Sequence, residues 1–197
     1  MSLETKRIRE LFGYARTLTK EQGLGVMAAR AAGFFKRRFF GKRARYLPAK
    51  KTLEAQRADA AQNAAHWPVI SILTPLYNTP PRFLQQFLDS VQAQTAPNWQ
   101  LVLADASDEA HSEVGRMAQE RAARDPRILY RKIGNGGIAA NTNAAAALAG
   151  GDYLALADHD DMLAPHAVFC MSKALAETGA DFAYSDEALF EKTPRRP

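Results

Sequence analysis

From Pro68 onward the apolar and polar positions alternate between two periods. Short apolar or β-branched runs predict strands at 69–74 ("VISILT"), 99–105 ("WQLVLAD"), 127–133 ("RILYRKI"), 153–157 ("YLALA") and 181–185 ("DFAYS"). The stretches between them have helical spacing. Phe83, Leu84, Phe87, Leu88 and Val91 share one helical face; 109–124 reads as a polar-faced helix, 137–149 as an alanine-rich one, and 165–178 as the last. Thr79-Pro80-Pro81 has the make-up of a helix start, a hydroxyl cap followed by proline at the first helical position. Strands separated by such helices predict an α/β fold, a mostly parallel sheet with helices on both faces.

Residues 1–67 follow a different pattern. "TKRIRELFGYARTL" sets Ile8, Leu11, Phe12, Ala15 and Leu18 at helical spacing, and 24–40 carries Phe34, Phe35, Phe39 and Phe40 beside Lys36, Arg37 and Arg38. "GKRARYLPAKK" then breaks the pattern, and the rest reads as loose. The organisation expected is a basic helical arm and linker over 1–67, then an α/β domain over 68–197.

Charge follows the same division. Residues 1–51 hold 14 Lys and Arg against three Glu, a net of +11, while the remainder carries −6. The basic balance belongs to the arm, which argues against nucleic acid as the domain's partner. The arm reads either as a solvated segment packing its aromatic stripe on the domain or as an interfacial helix on anionic lipid. Arg30 interrupts the best apolar stretch, and none reaches the ~20 residues a membrane-spanning helix needs. Cys170 is the only cysteine, so no intramolecular disulfide forms, and a cytoplasmic location is expected.

In parallel sheets ligands bind beyond the carboxyl ends of the strands. Five polar clusters fall there: "PLYN", "DASD", "GNGG", "DHDD" and "SDE". Asp158 and Asp160 stand at alternate positions, where two carboxylates can approach one ion, and hard oxygen ligands suit Mg²⁺ or Mn²⁺. Their mutual repulsion is relieved when a dication arrives. The bland alternative is an acidic surface loop with Asp161 as a helix cap. Tyr77 offers a ring for a nucleobase, and Asn78 an amide for its edge or for a turn. Asp105 ends the second strand, placed to accept from a base N–H or a ribose hydroxyl.

A rival reading rests on "GNGGIA". Gly134, Gly136 and Ala139 fit a G-x-G-x-x-A dinucleotide fingerprint, with a strand before, a helix after, and Asp158 about one βα unit further on. That reading makes the chain an NAD(P)-dependent oxidoreductase. Against it, the fingerprint ordinarily opens the first βα unit, whereas two precede this one. A glycine-rich helix entry capped by Asn135 explains the same residues.

Taken in order, these segments resemble the family-2 glycosyltransferases of the nucleotide-diphospho-sugar transferase (GT-A) fold. "PVISILTPLYNTP" resembles that family's first strand and nucleotide loop, and "SVQAQTAPNWQLVLADASD" its first helix and second strand. "NGGIAANTNAAAALAGGDYLALADHDDMLAP" resembles the donor motif leading into a D-x-D metal site, here Asp158-His159-Asp160, and "YSDE" a further segment. The resemblance covers 68 to about 190. It implies a Rossmann-like nucleotide-sugar-binding half in which Pro75, Tyr77, Asn78, Asp105, Asn135, Asn143 and Asp158 bind the donor. Asp158 and Asp160 would hold Mg²⁺ or Mn²⁺. It further implies inverting transfer from a UDP- or dTDP-sugar to a saccharide or lipid-linked acceptor, in cell-surface polysaccharide synthesis.

The chain departs from that family pattern twice. Many relatives carry two adjacent acids where this sequence has Asp105-Ala106, so the base-reading carboxylate is missing or shifted by one. The acceptor-binding half with its carboxylate base should follow "YSDE", whereas the sequence stops at Pro197. This predicts a donor-binding half whose general base is absent from the chain; Asp186 or Glu187 would fill that role only by departing from the family pattern. A non-catalytic nucleotide-binding module and a nucleotidyltransferase remain as alternatives.

Overall fold

The computed structural model describes residues 48–185 and 187. Helix α1 (Lys50–Asn63) and a 3₁₀ turn (Ala64–His66) lead into β1 (Ile70–Leu76), α2 (Pro81–Gln92) and β2 (Trp99–Asp105). A 3₁₀ turn (Glu109–His111), α3 (Ser112–Arg124), β3 (Ile128–Lys132), α4 (Ile138–Ala146), β4 (Tyr153–Leu156) and α5 (Ala167–Thr178) follow. The four strands form one parallel sheet in the order β3-β2-β1-β4. The chain steps outward from β1 through β2 to β3, then crosses to the other side of β1. The order therefore reverses between β1 and β4, the switch point at which a doubly wound sheet opens a crevice.

Pairing is in register, from Ile70↔Trp99 to Leu76↔Asp105 across β1 and β2, and from Leu101↔Ile128 to Asp105↔Lys132 across β2 and β3. One face carries Ile70, Ile72, Leu76, Leu101 and Leu103 against Leu84, Phe87, Leu88 and Val91 of α2, Val114 and Ala118 of α3, and Phe169 and Leu175 of α5. The other face carries Leu73, Val102 and Ala104 under α4, whose small Ala145 lets the helix lie close. On that second face β4 is left open: Leu154 and Leu156 are 57% and 76% exposed.

Strand β1 runs through Pro75, two residues beyond the expected end. The ladder explains how a central strand accommodates a proline. Ile70 and Leu76 bond toward β2, while Val69 and Leu73 bond toward β4. By alternation the N–H that Pro75 lacks would face the β4 side. There the ladder has already closed with Ala157 N–H donating to Leu73 O. The next rung would run from residue 75 N–H to Ala157 O, so the proline stands where the β1–β4 ladder ends.

Three other expectations are corrected. Residues 181–185 form no strand; among the described residues the sheet ends at β4, and Phe182 and Tyr184 stand 80% and 84% exposed. Thr79 does not cap α2, because Pro80 takes the cap position with no side-chain hydrogen bond and Pro81 starts the helix. The stretch read as loose after residue 50 contains α1. This helix is fastened by Lys173 Nζ donating to Asp59 Oδ2 at 2.9 Å, by Thr95 Oγ1 donating to Gln56 Oε1 at 3.2 Å, and by buried Ala60. Just after it, Trp67 meets Phe169 edge-on at 5.3 Å between ring centroids. The expected helices at 5–18 and 24–40 lie outside the described residues. No described helix is long and apolar enough to cross a membrane.

Candidate nucleotide-sugar site

The polar ends of β1, β2, β3 and β4 lie along one edge of the sheet, as parallel pairing requires. At the end of β1, Tyr77 is 50% exposed. Next to it Asn78 adopts the left-handed region with φ 51°, a conformation asparagine tolerates better than most residues. Three hydrogen bonds hold it there. Its N–H donates to Ser107 Oγ (3.0 Å), its Nδ2 to Asp108 Oδ2 (2.9 Å), and its Oδ1 accepts from Asp108 N–H (3.0 Å). The Asn78 side chain thus fastens the β1 loop to the β2 loop. Pro75, expected at the site, lies within the strand opposite Ala104 and contributes backbone shape.

Asp105 ends β2 and is only 1% exposed. Its Oδ1 accepts from Ser107 N–H at 2.9 Å, and its Oδ2 from Tyr130 Oη at 2.9 Å and Lys132 Nζ at 3.1 Å. Burial alone would raise its pKa; the hydrogen bonds from Ser107, Tyr130 and Lys132 together outweigh burial and hold the carboxyl below the ordinary range. Asp105 was expected to accept directly from a base or ribose, and in this structure its contacts are with the protein. Three of its roughly four lone-pair sites are occupied by the protein, and the group sits behind the surface. Tyr130, half-buried against this carboxylate, has its own pKa raised by burial first and by Asp105 next. The approach is possible because α3 carries a glycine here: a Cβ on Gly115 would fall 2.7 Å from Tyr130 Oη and 3.1 Å from Asp105 Oδ2.

Lys132 was not among the expected site residues. Its Nζ also donates to Ser107 O at 2.6 Å, yet its side chain remains 53% exposed. Tyr130 and Lys132 are two apart on β3, so they share a face. Lys132 pairs in register with Asp105, which is the signal that locates it.

The glycine loop after β3 is held by amides. Asn135 Oδ1 accepts from Gly137 N–H (3.0 Å) and Asn141 Nδ2 (3.1 Å), and Asn141 Oδ1 accepts from Gly136 N–H (3.0 Å). Gly137, at φ 85°, takes the cap position of α4 that Asn135 was expected to fill. These bonds also weaken the dinucleotide reading, because the Gly136 and Gly137 N–H groups that would face a pyrophosphate already have partners. Asn143 is exposed on α4, whereas buried Asn141 is the residue that braces the loop.

After β4, Asp158, Asp160 and Asp161 are exposed, and Asp161 N–H donates to Asp158 O at 3.2 Å. The Asp161 carboxyl is pushed up by burial first, then by the charges of Asp158, Asp160 and Glu187, against a smaller opposing effect of His159. The acids thus feel one another, as a hard-cation site requires. Among the described residues no three such ligands are already gathered at metal-binding distance. His159 presents a buried Nδ1 without a partner. Asp186, the expected stand-in for a base, lies outside the described residues.

The chain is 36% identical over 141 residues to the uncharacterized protein y4gI of Sinorhizobium fredii, which covers 70% of this chain and 15% of that one. It is 33% identical over 141 residues to the O-antigen biosynthesis protein RfbC of Myxococcus xanthus, covering 68% of this chain and 11% of that one. The chain therefore spans a small fraction of these relatives' length. Among solved structures, S. aureus TarS 1–349 superposes with a TM-score of 0.51 at 19% identity, over 57% of this chain and 34% of that one, a likeness of fold. The model for glycosyl transferase family 2 matches residues 71–186. With more than half of its length matched, the chain belongs to glycosyltransferase family 2.

Proposed function

We propose that this chain is the donor-binding unit of a glycosyltransferase, holding a nucleotide-diphospho-sugar across the carboxyl edge of its sheet. The observation that carries the reading is the spacing of chemically different groups along that edge. Tyr77, Asn78, Ser107 and Lys132 occupy the ends of β1, β2 and β3, while the acids follow β4 on the other side of the switch point. With neighbouring strands about 4.8 Å apart, the ends of β3 and β4 lie about 14 Å from each other. That separation suits a molecule with a flat base at one end and a charged diphosphate at the other.

In this arrangement Tyr77 offers its ring face to the base, and Asn78 keeps the β1 and β2 loops together beneath the nucleoside. Asp158 and Asp160 would hold Mg²⁺ or Mn²⁺, an ion their crowded, oxygen-only chemistry fits, and Asp158 would alternatively contact the ribose. The ion, when bound, neutralises charge on the departing nucleoside diphosphate. An acceptor hydroxyl then attacks the anomeric carbon with inversion; its proton passes to a carboxylate base and the nucleoside diphosphate leaves. The donor class is a UDP- or dTDP-sugar. A saccharide or lipid-linked acceptor in cell-surface polysaccharide synthesis fits the family and the printed name of the Myxococcus relative. The basic arm suits an enzyme working against the inner membrane face.

Calorimetric titration of UDP with Mn²⁺ tests the reading. Binding should vanish with EDTA and weaken about tenfold or more in Asp160→Ala, the loss expected when one ligand of the metal goes. UDP affinity indifferent to both EDTA and Asp160→Ala would overturn it.

A further inference from the structure

Resting on the donor-binding reading, we infer that Gln94 is a positioning residue for the cation site. From just beyond the end of α2 it clamps the segment leaving the acidic turn, and so limits how far Asp158 and Asp160 spread before an ion arrives. Its side-chain amide is engaged on both sides. Nε2 donates to Ser90 O at 3.0 Å and to Ala164 O at 2.8 Å, and Oε1 accepts from Val168 N–H at 2.9 Å. Two more bonds join the same surfaces: Leu163 N–H donates to Ser90 Oγ at 3.1 Å, and Thr95 N–H to Pro165 O at 2.8 Å. Ser90 and Thr95 are buried, which shields the clamp from competing water.

The acidic turn lies between two anchors. On the strand side, Ala157 N–H donates to Leu73 O at 3.2 Å, where a β1–β4 ladder of four pairs ends. On the other side the clamp takes hold at Leu163, two residues past Asp161. Residues 158–162, three of them aspartates, therefore span from a short ladder to the clamp. Like charges drive such a span open. Fastened at both ends, it has less to reorganise when a cation draws its acids together.

A capping role explains only part of this arrangement. Val168 N–H is a first-turn donor of α5, and His166 at the cap position supplies no side-chain bond, so Gln94 Oε1 caps that helix from outside. A cap needs an acceptor alone. The donation to Ala164 O, and the Ser90 hydroxyl receiving Leu163 N–H, act instead on the loop between the acids and the helix. The two-sided amide is also why a glutamine suits the place. A carboxylate there would keep the bond to Val168 but set an oxygen against the Ser90 and Ala164 carbonyl oxygens.

Calorimetry of UDP binding to the full chain, repeated over a series of Mn²⁺ concentrations, gives the Mn²⁺ level at which binding is half-restored after EDTA. In Gln94→Glu, close to isosteric, and in Gln94→Met that level should rise about tenfold with both aspartates intact, the scale of losing a residue that orients metal ligands. At saturating Mn²⁺ the UDP affinity should return to that of wild type, a split that general damage would not give. Val114→Ala, which opens a cavity beneath α3, should lower the urea midpoint yet leave the Mn²⁺ level unchanged. Should neither Gln94 variant fold, Ser90→Ala, which removes the acceptor for Leu163 N–H, takes their place with the same expected rise. An unchanged Mn²⁺ level in the clamp variants, or an equal rise in Val114→Ala, would overturn this inference while leaving the donor site standing. A wild-type chain that binds UDP no better with Mn²⁺ than with EDTA would overturn the donor site's metal, and the inference with it.

Discussion

Replacing Gly115 by alanine should destabilise the protein, although the same change in an ordinary helix interior stabilises by about 1 kcal/mol. Gly115 is buried in α3, and a Cβ there would stand 2.7 Å from Tyr130 Oη and 3.1 Å from Asp105 Oδ2. The hydroxyl sits at the end of a rigid ring and the carboxylate on a buried strand, so neither withdraws cheaply. To relieve the overlap the ring must leave its 2.9 Å contact with Asp105. A hydrogen bond to a charged acceptor contributes about 1.5–3 kcal/mol. Set against the helix gain, the net change for Gly115→Ala is a loss of about 1 kcal/mol. In a Tyr130→Phe background the closest atom is gone, and the remaining neighbours are Asp105 Oδ2 at 3.1 Å and the ring Cζ at 3.6 Å. There the alanine should be neutral or better, giving a coupling of about 1–2 kcal/mol between the two sites. Urea unfolding at pH 7, followed by the fluorescence of buried Trp99 with unchanged m-values, measures all four corners of the cycle. If Gly115→Ala stabilises wild type as much as it stabilises Tyr130→Phe, the close approach does not constrain the fold.

Asp125 gives a pH test. The Arg127 side chain, donating to both of its carboxylate oxygens, holds its pKa at about 2 against an ordinary 3.8. A carboxyl depressed in the folded state adds stability that is full above the unfolded value and is lost as pH falls through the folded one. Wild type should exceed Asp125→Asn by about 2 kcal/mol at pH 7, with the gap closing toward pH 2, as read by urea unfolding across that range. Phe87 is fully buried between α2 and the sheet, and Phe87→Ala should cost about 3–5 kcal/mol in the same assay. Asp59→Ala, which removes a partly exposed ion pair with Lys173, should change stability far less than Phe87→Ala in the same assay.

The period of the sequence located the four paired strands because each is an apolar run closed by a polar end, and burial enforces that pattern. It failed at 181–185. Alternating Phe182 and Tyr184 say which residues would share a face, but not whether a neighbouring strand exists to pair with. It failed again at α1, where "KKTLEAQRADAAQN" offers almost no apolar face; a few side-chain pairs and one buried alanine do the holding. The strand-end rule correctly sent Tyr77, Asn78 and the aspartates to one edge. The true situation of Asp105 was hidden because its partners are remote in the chain. Tyr130 and Lys132 come from the next strand, and the space the Tyr130 hydroxyl occupies is left by a glycine on the helix between. Register, once known, brings Lys132 beside Asp105; composition alone does not.

Strand β4 pairs with β1 at only four positions, whereas β1 and β2 share seven, and among the described residues no helix covers the side of β4 that carries Leu154 and Leu156. Amide protons of 153–156 should therefore exchange with solvent sooner than those of 101–104, through openings that leave the rest of the sheet closed. The acids ride on the part of the molecule that breathes, while Asp105 and its partners are anchored in the part that does not. A ligand gripping both would slow that exchange, so protection at β4 would report occupancy without any turnover.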